Sequence, residues 1–252
     1  METTFARRAV LVTEWRIASA GGEVFELPYG VATRDCEWPG QSLSHLAIVA
    51  DTRAFDPEHP MPCRHRYEFV VPAPDGFHLE VPGEIRRSIA MNMPLPAEPP
   101  GSEELELDRV EDEAGWSRMA RMRVEVESAF GVEPERARRM VDHIRRRKRF
   151  LDGEWHLALS NDGIVIGGIG LVVFETPSGR LGRLQDVDIL PRFQGRGFGN
   201  ELIAAVVRED RRSGYSSICL RADADDWPKK WYARLGFTPV EEWLRFHKPE
   251  GS

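Results

Sequence analysis

The residues best placed to do chemistry lie together in one short stretch, Asp186-Val187-Asp188-Ile189-Leu190-Pro191-Arg192-Phe193-Gln194-Gly195-Arg196-Gly197-Phe198-Gly199-Asn200-Glu201-Leu202. A run with strand character ends at Pro191, three alternate glycines turn the chain, and a helical pattern begins at once. That order makes an anion cradle. Glycines without a Cβ let the backbone approach a phosphate, and the start of a helix aims unpaired N–H groups and a positive dipole end at it. Two familiar phosphate loops are excluded. A Rossmann fingerprint needs a third glycine where Asn200 stands, and a Walker A loop needs a Gly-Lys-Ser/Thr that is absent here. Arg192 and Arg196 are within reach of a phosphate, although loop arginines are commonly just solvated.

A second segment, Trp231-Tyr232-Ala233-Arg234-Leu235-Gly236-Phe237, follows about 35 residues downstream, with a helix pattern and a strand pattern between. Together the two segments resemble the acetyl-coenzyme-A binding region of the GNAT superfamily of N-acetyltransferases. Ile189-Leu190-Pro191 matches the family's apolar-x-Pro triplet. Gln194, Gly197 and Gly199 match its Arg/Gln-x-x-Gly-x-Gly/Ala pattern, and the downstream segment matches its aromatic-Tyr-x-x-Leu-Gly-Phe run. The resemblance covers roughly residues 104–248. It implies that Gln194, Gly195, Arg196, Gly197, Phe198 and Gly199, with Asn200 at the helix start, hold the pyrophosphate of acetyl-coenzyme A. It also implies that Ile189 aligns the acetyl-pantetheine arm through its backbone, and that Tyr232 is the general acid for the leaving thiolate. Asp225 stands where many members carry an asparagine on the cofactor arm, and Pro228 where many carry alanine; a proline there suits a first helical turn.

The reaction so implied moves an acetyl group from acetyl-coenzyme A to a primary amine by direct attack on the thioester, with no metal. A primary amine is unprotonated in only about one part in 2,500 at pH 7, equivalent to roughly 4.6 kcal/mol, so a base must take its proton. Asp188, Asp186 and Glu175 are the candidates, and Asp188 is favoured because it lies nearest the loop. By two-residue alternation Asp186 and Asp188 share a face with Leu184 and Leu190. The plainer reading leaves these acids on a solvated face or attracting a cationic acceptor, and Tyr232 as a core aromatic. A rival from another class is a non-catalytic acyl-coenzyme-A sensor, which keeps the cradle without the chemistry.

These residues need elements to position them. Helical spacing is read over 115–130, with Trp116, Met119, Val124 and Phe130 inward, and over 134–150, with Ala137, Met140, Val141 and Ile144 inward. Strands are expected at Trp155–Ser160, Ile164–Glu175 and Leu181–Leu190, then a helix at 198–212, a strand at Ser216–Leu220, a helix through Leu235 and a strand near Phe237–Phe246. The fold class expected is α/β (α+β): a GNAT-like, mixed, mostly antiparallel sheet flanked by helices, behind a smaller strand-rich N-terminal module.

Of the 18 prolines, twelve fall in residues 1–100, most densely in Met93–Ser102, where missing amide donors exclude helix and interior strand. The domains are therefore drawn as 1–93, of unknown role and conceivably a degenerate copy of the same fold; 94–103, a linker; and 104–249, the acetyltransferase domain. Ala9–Val12, Leu46–Ala50, Tyr67–Val71 and Phe77–Val81 read as strands, and Glu103–Asp108 as a short edge strand. His45, His59, His65, His78 and Cys63 match no familiar metal spacing. Three cysteines, Cys36, Cys63 and Cys219, argue against a disulfide framework, and Cys219 reads as a small buried apolar residue.

The net charge of −7 argues against a general polyanion binder and mildly favours a cationic small-molecule or peptide amine as acceptor. Eight basic residues between Arg136 and Arg149 form the one strong field of opposite sign, read as a solvated helix face rather than a nucleic-acid surface. No apolar run is long enough for a membrane span and no signal peptide is evident, so the expected location is cytoplasmic, with a homodimer left open.

Overall fold

The computed structural model describes residues 9–35, 45–56, 59–61, 67–72, 81, 84–96, 105–177 and 179–247. The first elements are helix α1 (Ala9–Ser19) and strands β1 (Glu23–Leu27), β2 (Gly30–Arg34), β3 (His45–Val49), β4 (Glu68–Pro72) and β5 (Ile85–Pro94). Next come β6 (Leu105–Arg109), α2 (Glu113–Ser128), α3 (Pro134–Lys148), β7 (Gly153–Ser160), β8 (Val165–Thr176) and β9 (Gly179–Ile189). A single 3-10 turn at Pro191–Phe193 leads to α4 (Phe198–Arg212), β10 (Tyr215–Asp223), α5 (Trp227–Arg234) and β11 (Thr238–His247). The expected α/β class, with mostly antiparallel strands and flanking helices, is the one observed.

Two compact units divide the chain: Met1–Asn92 with Leu220–Ser252, and Met93–Cys219. The chain changes unit inside β5 and again inside β10.

In the first unit the strands follow the order β1-β2-β3-β4-β11-β5. Only β3 and β4 run parallel; β11 lies between β4 and β5, antiparallel to both. Tyr29, Ala47, Val49, Tyr67, Phe69, Val71 and Phe246 form its aromatic core, with the Phe69 and Phe246 rings stacked 5.0 Å apart. The Ala9–Val12 segment is helix, not strand. Its four apolar residues are too few to separate the two periods, whereas buried Val10, Leu11, Glu14, Ile17 and Ala18 recur at helical spacing. The strand at Leu46–Ala50 appears as β3 and that at Tyr67–Val71 as β4. Residues 77–80, Cys36, Cys63, His65, His78 and the proline segment 97–102 lie outside the described residues. Of the other histidines, His45 packs edge-on against Tyr67 and His59 against Tyr29.

In the second unit the order is β10-β9-β8-β7-β6, with β10 parallel to β9 and the rest antiparallel. Strand β6 is the edge strand expected near 103–108. Asp112 caps α2 by accepting from the Gly115 amide at 2.7 Å, and Pro134 opens α3. Trp116, Met119, Met122 and Val126 form the buried stripe of α2, each contributing about 2 kcal/mol of apolar burial. Phe130, expected inward, is 76% exposed because the helix ends two residues before it; Val124 is only half-buried. Cys219 is buried and unbridged.

The basic helix α3 is less of a free surface than its composition suggests. Arg147 is buried, Arg145 pairs with Glu113 at 2.8 Å, and Lys148 donates to the Val110 carbonyl at 3.1 Å. Arg136, Arg138, Arg139 and Arg149 remain exposed. No helix among the described residues is long and apolar enough to cross a membrane.

Candidate active site

Strand β9 carries the acids, and it is not regular. Gly168 pairs with Asp188 and Gly170 with Gln185, so Asp186 and Val187 together oppose Ile169 alone. This β-bulge bends β9 just before the loop, with Asp186 at a φ of +48°, a left-handed conformation that aspartate tolerates better than most residues. The extra residue breaks the simple alternation. Leu184 pairs with Leu171 on the opposite face, while both acids turn toward α2.

There they meet Arg123. Its guanidinium lies 3.1 Å from Asp186 Oδ1, bonds Asp188 Oδ2, and lies 3.1 Å from Glu127 one turn further along α2. The other oxygen of Asp186 accepts from the Trp155 indole at 3.4 Å. Three carboxylates therefore share one cation. Burial pushes the Asp188 carboxyl up to about 6; Arg123 pulls it down, and Asp186 and Glu127 push it up again. Burial alone would lower Arg123, but Asp186, Asp188 and Glu127 hold its ionisation above the usual arginine range.

Strand β8 makes this contact possible by lacking side chains. A Cβ at Gly167 would come 2.1 Å from the Asp188 carbonyl, and one at Gly170 would come 2.4 Å from Trp155 Nε1. A Cβ at Gly168 would meet Met122 on α2 at 2.7 Å, so the helix sits low enough for Arg123 to reach β9.

Glu175 is not part of this group. It faces Arg180 across the other end of the β8–β9 ladder, about 23 Å along the strand from the partner of Asp188, and pairs with Arg180 at 3.1 Å.

Beyond Ile189 the chain makes the 3-10 turn and enters α4 through the loop read as a cradle. Gly195 and Gly197 have φ values of +71° and +89°, and no atom lies within 4 Å of where their Cβ atoms would be. Their glycine identity here answers to backbone conformation. Among the described residues, no backbone hydrogen bond takes up the amides of Gly195, Arg196, Gly197, Phe198 or Gly199. The Gln194 side chain folds back to donate to the Ile189 carbonyl at 2.9 Å, tying the loop to the end of β9. Arg192 pairs with Glu125, and Arg196 lies over the Phe193 and Phe198 rings at 5.7 and 5.6 Å. Unbonded amides, positive-φ glycines and a helix start are the features by which a backbone could hold a diphosphate.

Tyr232 and Asp225 belong to the other compact unit. Tyr232 is 8% exposed, with its ring 4.5 Å from Trp231 and 5.4 Å from Phe237. Asp225 is exposed, just before the Asp226 cap of α5, and lies 3.9 Å from Arg87. Pro228 falls in the first turn of α5 as expected.

Sequence reasoning missed Arg123 and Trp155. A signal for the first was present: Arg123 falls on the same stripe as Met119 and Val126, a charge interrupting an apolar helix face. Gly167, Gly168 and Gly170 inside one strand were the sign of close approach.

Residues 152–239 match the family model described as the acetyltransferase (GNAT) domain. Over those residues the chain is thus similar to the GNAT superfamily of acetyltransferases. Among curated proteins it is 32% identical over 94 residues to mouse thialysine N-epsilon-acetyltransferase, covering 34% of this chain and 54% of that one. The chain thus spans about half the length of the curated relative it matches. In fold it is similar to a functionally unknown conserved protein from Staphylococcus epidermidis, with a TM-score of 0.65 and 17% identity over 92% of this chain and 95% of the other. A protein assigned to the GNAT family of acetyltransferases from Novosphingobium aromaticivorans gives a TM-score of 0.56 and 16% identity over 93% and 96%.

Proposed function

We propose that the protein is an N-acetyltransferase that moves an acetyl group from acetyl-coenzyme A to a primary amine by direct attack on the thioester. The observation that supports this reading is the junction of β9 and α4: five amides at a helix start that no backbone hydrogen bond takes up among the described residues, one 3-10 turn beyond a strand end that carries two acids. Gln194 through Asn200 are assigned to the pyrophosphate, the Ile189 backbone to the acetyl-pantetheine arm, and Asp225 to a contact with that arm. Asp188 takes the proton from the amine, directly or through a water, with Asp186 as the next candidate. The amine nitrogen bonds to the thioester carbonyl carbon, the C–S bond breaks, and Tyr232 gives its proton to the leaving thiolate. Arg123 positions Asp188.

A cationic small-molecule or peptide amine is the proposed acceptor. The negative net charge and the acid cluster around Arg123 support it, as does the N-epsilon-acetyltransferase activity in the mouse relative's name. The functional domain is proposed to run from 104 to 249, with 94–103 as linker, although Leu220–Ser252 packs with the first 92 residues. The protein is proposed to act in the cytoplasm.

A panel of amines assayed for free-thiol release from acetyl-coenzyme A tests the proposal. Turnover with a primary amine is the expected result. Tight acetyl-coenzyme-A binding with no turnover on any amine would make the protein an acyl-coenzyme-A sensor, and absence of binding would remove the cradle assignment.

A further inference from the structure

The face of the second unit's sheet turned away from Arg123 holds a separate cavity, of about 200 Å³, between the strands and the C-terminal half of α4. A larger cavity of about 530 Å³ over edge strand β6 shares Glu154, His156 and Glu209 with it. From Phe198 at the cradle to Asp210 in this cavity, α4 rises about 18 Å, so the two sites are distinct.

Two side chains in the smaller cavity are buried with a polar atom unsatisfied. Asp210 is 2% exposed, and its Oδ2 meets no donor among the described residues. His156 is 7% exposed; its Nε2 lies 3.3 Å from Glu154 Oε2, and its Nδ1 has no partner among the described residues. A ring that donates from Nε2 to a carboxylate leaves Nδ1 as a bare acceptor. The cavity thus offers two acceptors that no donor among the described residues meets, although Tyr215 and Ser213, whose hydroxyls can donate, also line it.

The neighbouring cations are committed elsewhere. Arg180 pairs with Glu175 at 3.1 Å and donates to the Ser213 carbonyl at 2.8 Å, Arg109 holds Glu154 at 2.7 Å, and Arg212 lies 3.6 Å from Glu209. Burial pushes the Asp210 carboxyl up to about 7, Glu154 and Glu209 add to the rise, and Arg180 opposes it. Leaving buried acceptors unmet is unfavourable, so the chemistry asks for a ligand that brings N–H donors and positive charge. The volume is several times the roughly 30 Å³ share of one water, which suits a small organic molecule better than a bare ion.

We propose that this cavity is a second binding site, for a small primary ammonium whose N–H groups are taken by Asp210 Oδ2 and His156 Nδ1. The site does not depend on the acetyl-transfer reading, because binding there involves neither the cradle nor Asp188.

The test is a titration of the full chain with n-butylammonium chloride at about pH 8, without acetyl-coenzyme A, following the His156 imidazole by heteronuclear NMR. The His156 signals should shift and saturate, n-butanol at equal concentration should leave them in place, and Asp210→Asn should weaken binding by about tenfold or more. No saturable shift, an equal response to n-butanol, or unchanged affinity in Asp210→Asn would overturn the proposal. Asp210→Asn removes a charge that burial disfavours, so the variant is expected to fold; its melting curve checks this.

Discussion

Arg123 on α2 lies 3.1 Å from Asp186 on β9, and the same guanidinium bonds Asp188 two residues on. One cation thereby joins the acids that follow and open the bulge. Burial keeps the Asp188 ionisation raised despite its ion pair, and Asp186 and Glu127, which share the same cation, add to the rise.

If Asp188 is the base, kcat/KM should rise with pH through about 6 and then level, because only the carboxylate can accept the amine proton. Asp188→Asn should lower kcat by about 10²- to 10⁴-fold. A pH profile without a limb in that region removes Asp188 from the reaction.

Arg123→Met withdraws the pull that lowers Asp188. The acidic limb should then move to higher pH by about one unit or more. Stability in urea should fall by about 3 kcal/mol, because the carboxylates stay buried without their cation. A limb that does not move would show that some other group titrates.

Gly197→Ala puts a Cβ on a residue at φ +89° without touching any neighbour, so its whole effect is on the backbone. The strain should be about 1 to 2 kcal/mol and should weaken coenzyme-A binding by about tenfold as the loop shifts. Calorimetric titration with coenzyme A decides it; unchanged affinity would mean the loop does not hold the diphosphate.

Tyr232→Phe keeps the ring contacts to Trp231 and Phe237 and removes the hydroxyl. Turnover should fall while the dissociation constant for acetyl-coenzyme A stays nearly unchanged. Full turnover in the variant leaves Tyr232 as a core aromatic.

Asp210 has a folded-state pKa of about 7 against an unfolded value near 3.8. A raised value means the folded state holds the proton more tightly. The stability this contributes is complete below about 3.8 and is lost as pH rises through about 7. Asp210→Asn should therefore gain less near pH 5 than near pH 8, the difference being on the order of 2 kcal/mol or about 5 °C in melting temperature. An equal shift at both pH values would mean that its ionisation is not the cause.

Much of the second half was legible because its signals are local. The glycines at 195 and 197, Pro134 and Pro191 act on their own backbone, and α4 spans the residues expected for it. The candidate acid and cradle residues stand out for the same reason, since they share one short stretch of chain. What escaped was non-local. Nothing around Arg123 announces a partner more than sixty residues away, and the bulge at Asp186 exists only against β8. In the first half, β1, β2 and β5 carry mixed burial and charge, so a search for apolar runs passes over them. The 93–102 proline segment is read as excluding helix and interior strand, and β5 ends at Pro94, where a strand can tolerate a terminal proline.

The place of β11 between β4 and β5 has a consequence for the order of folding. Its residues follow the whole second unit in the chain, so a nascent polypeptide presents β4 and β5 as unpaired edges until that unit has been synthesised. The unit carrying the cradle closes through shorter-range contacts and is free to form first. The N-terminal sheet is completed last, by the strand that directly follows Tyr232 and α5.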